Sequence, residues 1–454
     1  MIESIAVTNF YCFNEKTELS FVAGRERNRI LDEIYGGYTN VSRVNLLKMI
    51  YLYGDNGAGK SKLLKAFNTL HELVNIVRDN RLDPLPYHEF ALDPLKDRHK
   101  PSVIEMRYHF DGKRFRYVIE WDDKAILREE LYQIRLSTEI QLIDRGYNAR
   151  TMTATVKFGK GLDIDDGAAY IISSALLRNN SVISVIGNTN IYNKVLHDQL
   201  AFFREGFETV ELCDIDLGDS LPDSHRKQEK KLKDVILAVL KAIGSNIADY
   251  EKIPLPKRIP VSFRSRMRDM GDEERKMMME LFDMAPDYAV KTYHDIGRRK
   301  LQPLDLDDQS EGTKEIIKLI MCMHDAISHH KTVILDDCIN GIHPKTMEKL
   351  MKFYLGTAKD AQLIISSQDF SHLDDPLLRR DSLRIVMKDH HGVSHVESMK
   401  LGDIHKNMNL RHYVETSDKL NVLPTIDDIM LEAAIQDYKA EMLKSGDNYY
   451  GELF

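Results

Sequence analysis

Gly54-Asp55-Asn56-Gly57-Ala58-Gly59-Lys60-Ser61 decides how this chain is read. It fills every fixed position of the phosphate-loop pattern G-x-x-x-x-G-K-[ST]. A loop of this composition turns successive backbone N–H groups toward a phosphate and opens onto a helix N-terminus, where the dipole favours anions. In that setting Lys60 reaches the β- and γ-phosphates and Ser61 ligates Mg²⁺. Asn56, Gly57, Ala58, Gly59 and Lys62 complete the expected cradle. The flanks agree: Met49-Ile50-Tyr51-Leu52-Tyr53 reads as a buried strand, and Lys62 to Leu73 as an amphipathic helix.

Two further stretches bear on the same chemistry. Thr332-Val333-Ile334-Leu335-Asp336-Asp337 is an apolar strand ending in two carboxylates, followed by Gly341-Ile342-His343-Pro344. A nucleotide hydrolase uses such a strand end to hold Mg²⁺ and polarise water, with Asp336 on the ion and Asp337 facing the attacking water. Gln309-Ser310-Glu311-Gly312-Thr313-Lys314 opens the helix before that strand. Ser310 suits an N-cap, and Gly312 permits close backbone approach. Ser310, Gly312 and Thr313 thus offer a second helix N-terminus able to hold phosphate.

The order strand, phosphate loop, capped helix, acidic strand resembles the ABC-type ATPase heads of the SMC and OLD-like group. More narrowly it resembles the AAA-type ATPases of bacterial anti-phage and abortive-infection systems. The resemblance rests on Ile5 to Phe10, Gly54 to Ser61, Ser310 to Lys314, Ile334 to Pro344, Leu363 to Ser367, Asn409 to Tyr413 and Pro424. It implies an α/β fold: an ABC-type P-loop ATPase head with an antiparallel β arm and an inserted helical lid. It also implies ATP and Mg²⁺ as cofactors. The sites are then composite, with Lys60, Ser61, Asp336, Asp337 and Gln368 from one chain and Ser310 and Gly312 from another, so at least a dimer is expected.

Two positions depart from the family pattern. Asp337 stands where Glu is usual, and Gln368, in Ser366-Ser367-Gln368-Asp369, stands where a His often contacts the γ-phosphate. The shorter carboxylate and the uncharged amide both favour slow hydrolysis, because general-base and water-positioning effects are worth roughly 10²–10⁴-fold. The opposing reading takes both as tolerated variants in an ordinary ATPase.

Along the chain, an N-terminal ATPase lobe is expected over 1–100, an antiparallel β arm over 101–167, a helical insertion over 168–300 and a C-terminal ATPase lobe over 301–454. Asp111-Gly112 reads as a two-residue hairpin between strands. The stretch from Gly24 to Asn45 reads as loop or short helix, and Ala168 to Lys291 as mostly helical.

Composition narrows the class. The 454 residues carry 63 Lys+Arg against 71 Asp+Glu, so overall charge does not advertise nucleic-acid binding. Contact with nucleic acid would need a local patch. His225 to Lys233 reads first as a solvated basic helix face, and Lys257, Arg258, Arg264, Arg266 and Arg268 form a second cluster. No apolar run reaches the ~18 residues of a membrane span, and the N-terminus lacks a signal-peptide pattern. The four cysteines are spread without a C-x-x-C pair, which reads as reduced, buried thiols in a cytoplasmic protein. His324, His329, His330 and His343 lie on different expected elements and argue only weakly for a metal.

The expected function is an ATP-dependent sensor or scaffold in anti-phage defence. OLD-like nucleases carry a nuclease domain after the ATPase; no room for one is expected here, so the effector, a nuclease, is expected to be a separate protein. The alternative is an SMC-like DNA-processing or repair ATPase, which the lack of sustained heptads disfavours. A third possibility uses ATP only as structural glue.

Overall fold

The computed structural model describes residues 1–24, 36–92, 100–136, 138–222, 227–254, 271, 288–297, 300–338, 341–374, 378–399, 409–417, 420 and 428–444. The chain opens with β1 (Ile2–Thr8), β2 (Thr17–Ser20), β3 (Tyr38–Val41), β4 (Val44–Leu47), β5 (Met49–Tyr53) and α1 (Lys60–Asn75). A run of strands follows: β6 (Ser102–Phe110), β7 (Lys113–Trp121), β8 (Ile126–Arg135), β9 (Thr138–Asn148) and β10 (Thr153–Phe158). Next come α2 (Asp166–Ala175), α3 (Val182–Ile186), α4 (Lys194–Glu205), β11 (Phe207–Val210), α5 (Leu217–Ser220), α6 (Lys227–Ala242), β12 (Ile247–Pro254), β13 (Tyr288–Asp295) and β14 (Leu301–Asp305). The rest comprises α7 (Glu311–His329), β15 (Thr332–Leu335), α8 (Pro344–Thr357), β16 (Gln362–Ser367), β17 (Leu383–Lys388), β18 (Ser394–Ser398), α9 (Leu410–Thr416) and α10 (Asp428–Lys444).

The site is positioned by a six-stranded sheet in the order β11-β15-β16-β5-β17-β18, parallel except for β18. The inner strands β5, β15 and β16 are buried along their whole length, and each carries a continuous apolar run, Met49–Tyr53, Val333–Leu335 and Leu363–Ile365. Alternation then divides each strand between two cores. Ile50, Leu52, Ile334 and Ile364 pack with α1 residues Leu63, Phe67 and Leu70. Met49, Tyr51, Val333, Leu335, Leu363 and Ile365 pack with Ile320 and Met323 of α7 and with Met347 and Leu350 of α8. Truncating one such buried aliphatic to Ala costs about 2–5 kcal/mol.

The second large sheet is antiparallel, in the order β10-β9-β8-β7-β6-β1-β2. Asp111 (φ 48°) and Gly112 (φ 68°) turn the β6–β7 hairpin with two left-handed residues, as a type I′ turn needs. The strand β1 pairs with β6 from Ile2↔Tyr108 to Thr8↔Val103, across the lobe boundary expected at residue 100. Gln362 ties the two sheets together: it is fully buried and its amide donates to the carbonyls of Ile2 (2.9 Å) and Leu47 (3.2 Å).

Several expectations need correction. The stretch from Ala168 to Lys291 is interrupted by strands. Gly206 ends α4, its N–H donating to Phe202 O at 2.7 Å, and Phe207 then starts β11, an edge strand of the central sheet. The strands β12 and β13 join β14 in a separate antiparallel sheet. Within the span read as loop or helix, β3 and β4 form a hairpin through Ser42 (φ 49°) and Arg43 (φ 70°). Cys213 is exposed and Cys12 half-buried; only Cys322 and Cys338 are buried. Lys233, placed on a solvated face, is buried and donates to Tyr250 O at 2.7 Å. His225, Arg226, the cluster from Lys257 to Arg268, and Pro424 lie outside the described residues. Among the described residues, no helix is long and apolar enough to cross a membrane.

Candidate functional site

The strands β5, β15 and β16 run parallel, so their carboxyl ends share one edge of the sheet, where open α/β sheets bind ligands. The glycine loop leaves the end of β5 and enters α1. Gly57 (φ 76°) and Gly59 (φ 113°) take left-handed backbone that other residues resist. A Cβ on Gly59 would stand 2.7 Å from Cys12 Sγ and 2.9 Å from Ser394 Oγ, whereas one on Gly57 would meet nothing within 4 Å. Glycine is thus required twice at Gly59, by backbone and by space. The Ser394 hydroxyl on β18 donates to Ala58 O at 2.7 Å, and Ser394 N donates to Cys12 O at 2.8 Å. The turn between β1 and β2 is thereby fixed to the loop. On that turn Tyr11 (φ 51°) stacks on His88 at 4.4 Å, and Lys62 Nζ sits 4.7 Å from the Tyr11 ring.

Lys60 is buried, and its ammonium donates to Gly54 O (2.7 Å) and Asp55 O (3.1 Å). Burial lowers its pKa below that of an ordinary lysine; the negative charges of Asp337, Asp336 and Asp55 oppose that shift. The acidic pair at the end of β15 is therefore close enough for its charge to act on the loop lysine.

The carboxylates are set by β16. The Ser366 hydroxyl donates to Asp336 Oδ1 and accepts from Asp337 N–H at 2.8 Å. Asp337 adopts φ 49°, an uncommon conformation that Asp tolerates better than most residues. Gln368 is exposed just beyond the end of β16. Asp336 with the Ser61 hydroxyl, exposed near the start of α1, offers the hard oxygen ligands that suit Mg²⁺. The left-handed glycines and buried lysine likewise fit a bound polyphosphate.

Ser310, Gly312 and Thr313 form a second group at the head of α7. Ser310 caps the helix, its hydroxyl accepting from Thr313 N (3.2 Å) and lying 2.8 Å from Thr313 Oγ1. A Cβ on Gly312 would stand 3.4 Å from Gly341 O, an ordinary van der Waals contact, so the close approach expected at Gly312 does not by itself require glycine. His343 explains itself as the N-cap of α8, accepting from Lys345 N at 3.2 Å. The histidines considered for a metal are in no ligand cluster among the described residues.

Sequence reasoning missed Ser394 and Ser366 as holders of the loop and of the carboxylates. A lone serine in a strand carries no motif; register alone gives it a role.

No curated protein matches the chain. Among solved structures it is similar to the SMC head domain from Thermotoga maritima, at 10% identity and a TM-score of 0.41, over 88% of this chain and 99% of that one. It is also similar to an Smc head domain with an extended coiled coil bound to the C-terminal domain of ScpA, from Pyrococcus furiosus, at 11% identity and a TM-score of 0.34, over 88% and 97%. These scores are low, and nothing about activity follows from them. A family model described as "AAA domain, putative AbiEii toxin, Type IV TA system" matches residues 49–374, from the first residue of β5 to beyond β16. That match spans well over half of the chain and includes the glycine loop, the capped helix and the acidic strand, and the chain belongs to this family of AAA domains.

Proposed function

We propose that this chain is an ATP-binding, slowly hydrolysing ATPase whose nucleotide state controls a separate effector, a nuclease, in anti-phage defence. The observation that carries the ATPase reading is that the glycine loop with its buried Lys60 and the Asp336-Asp337 pair leave the carboxyl ends of parallel strands at one edge of the sheet, near enough for the carboxylate charges to act on Lys60. Lys60 and the N–H groups of residues 56–61 would hold the β- and γ-phosphates. Ser61 and Asp336 would hold Mg²⁺, which offsets phosphate charge when bound. Asp337 would accept a proton from the attacking water, and Gln368 would orient it. The short side chain of Asp337 favours slow turnover.

The defence setting is supported by the family description, which speaks of a toxin and a toxin–antitoxin system. At the group formed by Ser310, Gly312 and Thr313, the Ser310 cap already takes up Thr313 N, the positive end of the α7 dipole favours an anion, and a second copy's nucleotide is the ligand we assign to it. ATP would then favour the paired state by binding across both copies, which supplies the differential affinity that any nucleotide switch requires.

The test is size by light scattering with and without ATP and Mg²⁺, with phosphate release assayed in the same samples. ATP-dependent pairing with slow release is expected, and Lys60→Ala should abolish both. Fast release without any change in size would overturn the switch and favour a DNA-processing ATPase.

A further inference from the structure

We infer that Gln309 is a positioning residue that holds Ser310 and the head of α7 in register with the three-stranded sheet β12-β13-β14, through His294 and Thr292. This rests on the reading of Ser310 and Gly312 as a phosphate-binding group. Gln309 immediately precedes Ser310, and its amide nitrogen lies 3.0 Å from Thr292 Oγ1 and 3.0 Å from His294 Nε2. Thr292 and His294 are both buried and lie on the same face of β13.

With the Asn246 side-chain oxygen turned toward His294, the protons of this cluster can be arranged consistently, although the Thr292 hydroxyl also lies 3.2 Å from His294 Nε2. His294 Nδ1 lies 2.8 Å from Asn246 Oδ1. An amide oxygen only accepts, so Nδ1 carries the proton and Nε2 presents its lone pair. The Thr292 hydroxyl donates to Leu304 O at 3.1 Å, which leaves its oxygen as an acceptor. Gln309 then faces two acceptors, and its –NH₂ has two protons to give. Each donor meets an acceptor, and four segments are joined: the turn after α6, β13, β14 and the entry to α7. Any displacement of β13 or of the end of α6 therefore moves Ser310.

Ser310 itself is tied to its own helix through Thr313. Gln309 is thus a route by which the helix head is referenced to another sheet. Such a residue would act on the step in which α7 meets a phosphate, not on ATP capture by the loop at the end of β5.

The experiment compares wild type with Gln309→Glu, which keeps the shape but replaces a double donor by acceptors. Fluorescent-ATP affinity, the kcat and KM of phosphate release, and ATP-dependent pairing are read together. We expect unchanged ATP affinity and a fall of about tenfold or more in kcat and in pairing. Adding His294→Gln to Gln309→Glu returns a donor opposite the carboxylate and should recover most of the loss. Equal kcat and pairing in wild type and Gln309→Glu would overturn the assignment. So would a loss of ATP affinity and melting temperature that His294→Gln does not repair, because that is a merely structural role. If wild type itself neither pairs nor releases phosphate more than Lys60→Ala, the ATPase reading fails, and this assignment fails with it.

Discussion

The hydroxyl of Ser394, on the edge strand β18, donates a 2.7 Å hydrogen bond to the main-chain carbonyl of Ala58, in the middle of the glycine loop. Ser394 is fully buried, so the bond is shielded from water. Ser394→Ala leaves the Ala58 carbonyl short of a partner at a cost of about 1 kcal/mol. Nucleotide affinity should fall about fivefold while the melting temperature changes little. A titration with fluorescent ATP checks this, and unchanged affinity would show that the loop holds its shape without β18.

The two left-handed glycines of the loop should differ sharply. Gly57→Ala meets only the backbone penalty, roughly 1–2 kcal/mol, because nothing lies within 4 Å of its added Cβ. Gly59→Ala meets the same penalty and also collides with Cys12 Sγ and Ser394 Oγ. ATP binding should survive in Gly57→Ala, weakened, and vanish in Gly59→Ala. The reverse order would mean that the bound loop differs from the one described.

How much of this was legible in the sequence depends on burial. The strands β5, β15 and β16 are buried along their whole length, and each was readable from its apolar run, Met49–Tyr53, Val333–Leu335 and Leu363–Ile365. Phe207-Glu208-Thr209-Val210 was not, since four residues at a sheet edge carry too little pattern to separate them from the end of α4. The strands of the β3–β4 hairpin have only four residues each and are interrupted by Thr39, Asn40 and Asn45, so neither alternation nor a long apolar run marks them. The glycine loop and Asp336-Asp337 were visible as motifs. Their dependence on Ser366 and Ser394 was not, because it arises from pairing between strands far apart in the chain.

Ser366 is the residue that orients the acidic pair, donating to Asp336 and accepting from Asp337 N–H. Ser366→Ala removes a hydrogen bond to a charged group, worth about 1.5–3 kcal/mol. Phosphate release should slow by roughly 10–100-fold, with the Mg²⁺ requirement raised and ATP affinity nearly kept. Steady-state assays at varied Mg²⁺ read this directly. An unchanged Mg²⁺ dependence would remove Asp336 from the metal site.

Acid stability should depend on Glu3. It is buried on β1; burial alone would raise its pKa, but hydrogen bonds and charge from His109 and Arg114 outweigh that and lower it to about 2. Arg114 reaches it at 2.7 and 2.5 Å. Since the folded value lies below the unfolded one, the stabilisation is present above the ordinary carboxylate range and is lost as pH falls from about 4.5 toward about 2. Glu3→Gln should therefore destabilise the protein at neutral pH by on the order of 2–3 kcal/mol, with the difference shrinking through that window. Urea melts across pH measure this; a gap independent of pH would assign the loss to packing.

The proposed slow turnover rests on Asp337. Its left-handed backbone places it after β15, next to the charge of Lys60, with a side chain one methylene shorter than the Glu usual in the families the sequence resembles. Asp337→Glu extends the carboxylate toward the water and should raise kcat by on the order of tenfold, within the range of general-base effects. The longer residue tolerates this backbone less well, so a small loss of stability, about 1 kcal/mol, should accompany the gain. Asp337→Asn should lower turnover further and prolong the ATP-dependent pair, because its amide cannot take the proton of the attacking water. Single-turnover phosphate release and the lifetime of the pair by light scattering separate the two effects. If Asp337→Glu releases phosphate no faster than wild type, slow turnover does not come from the length of this side chain, and Gln368 becomes the position to change next.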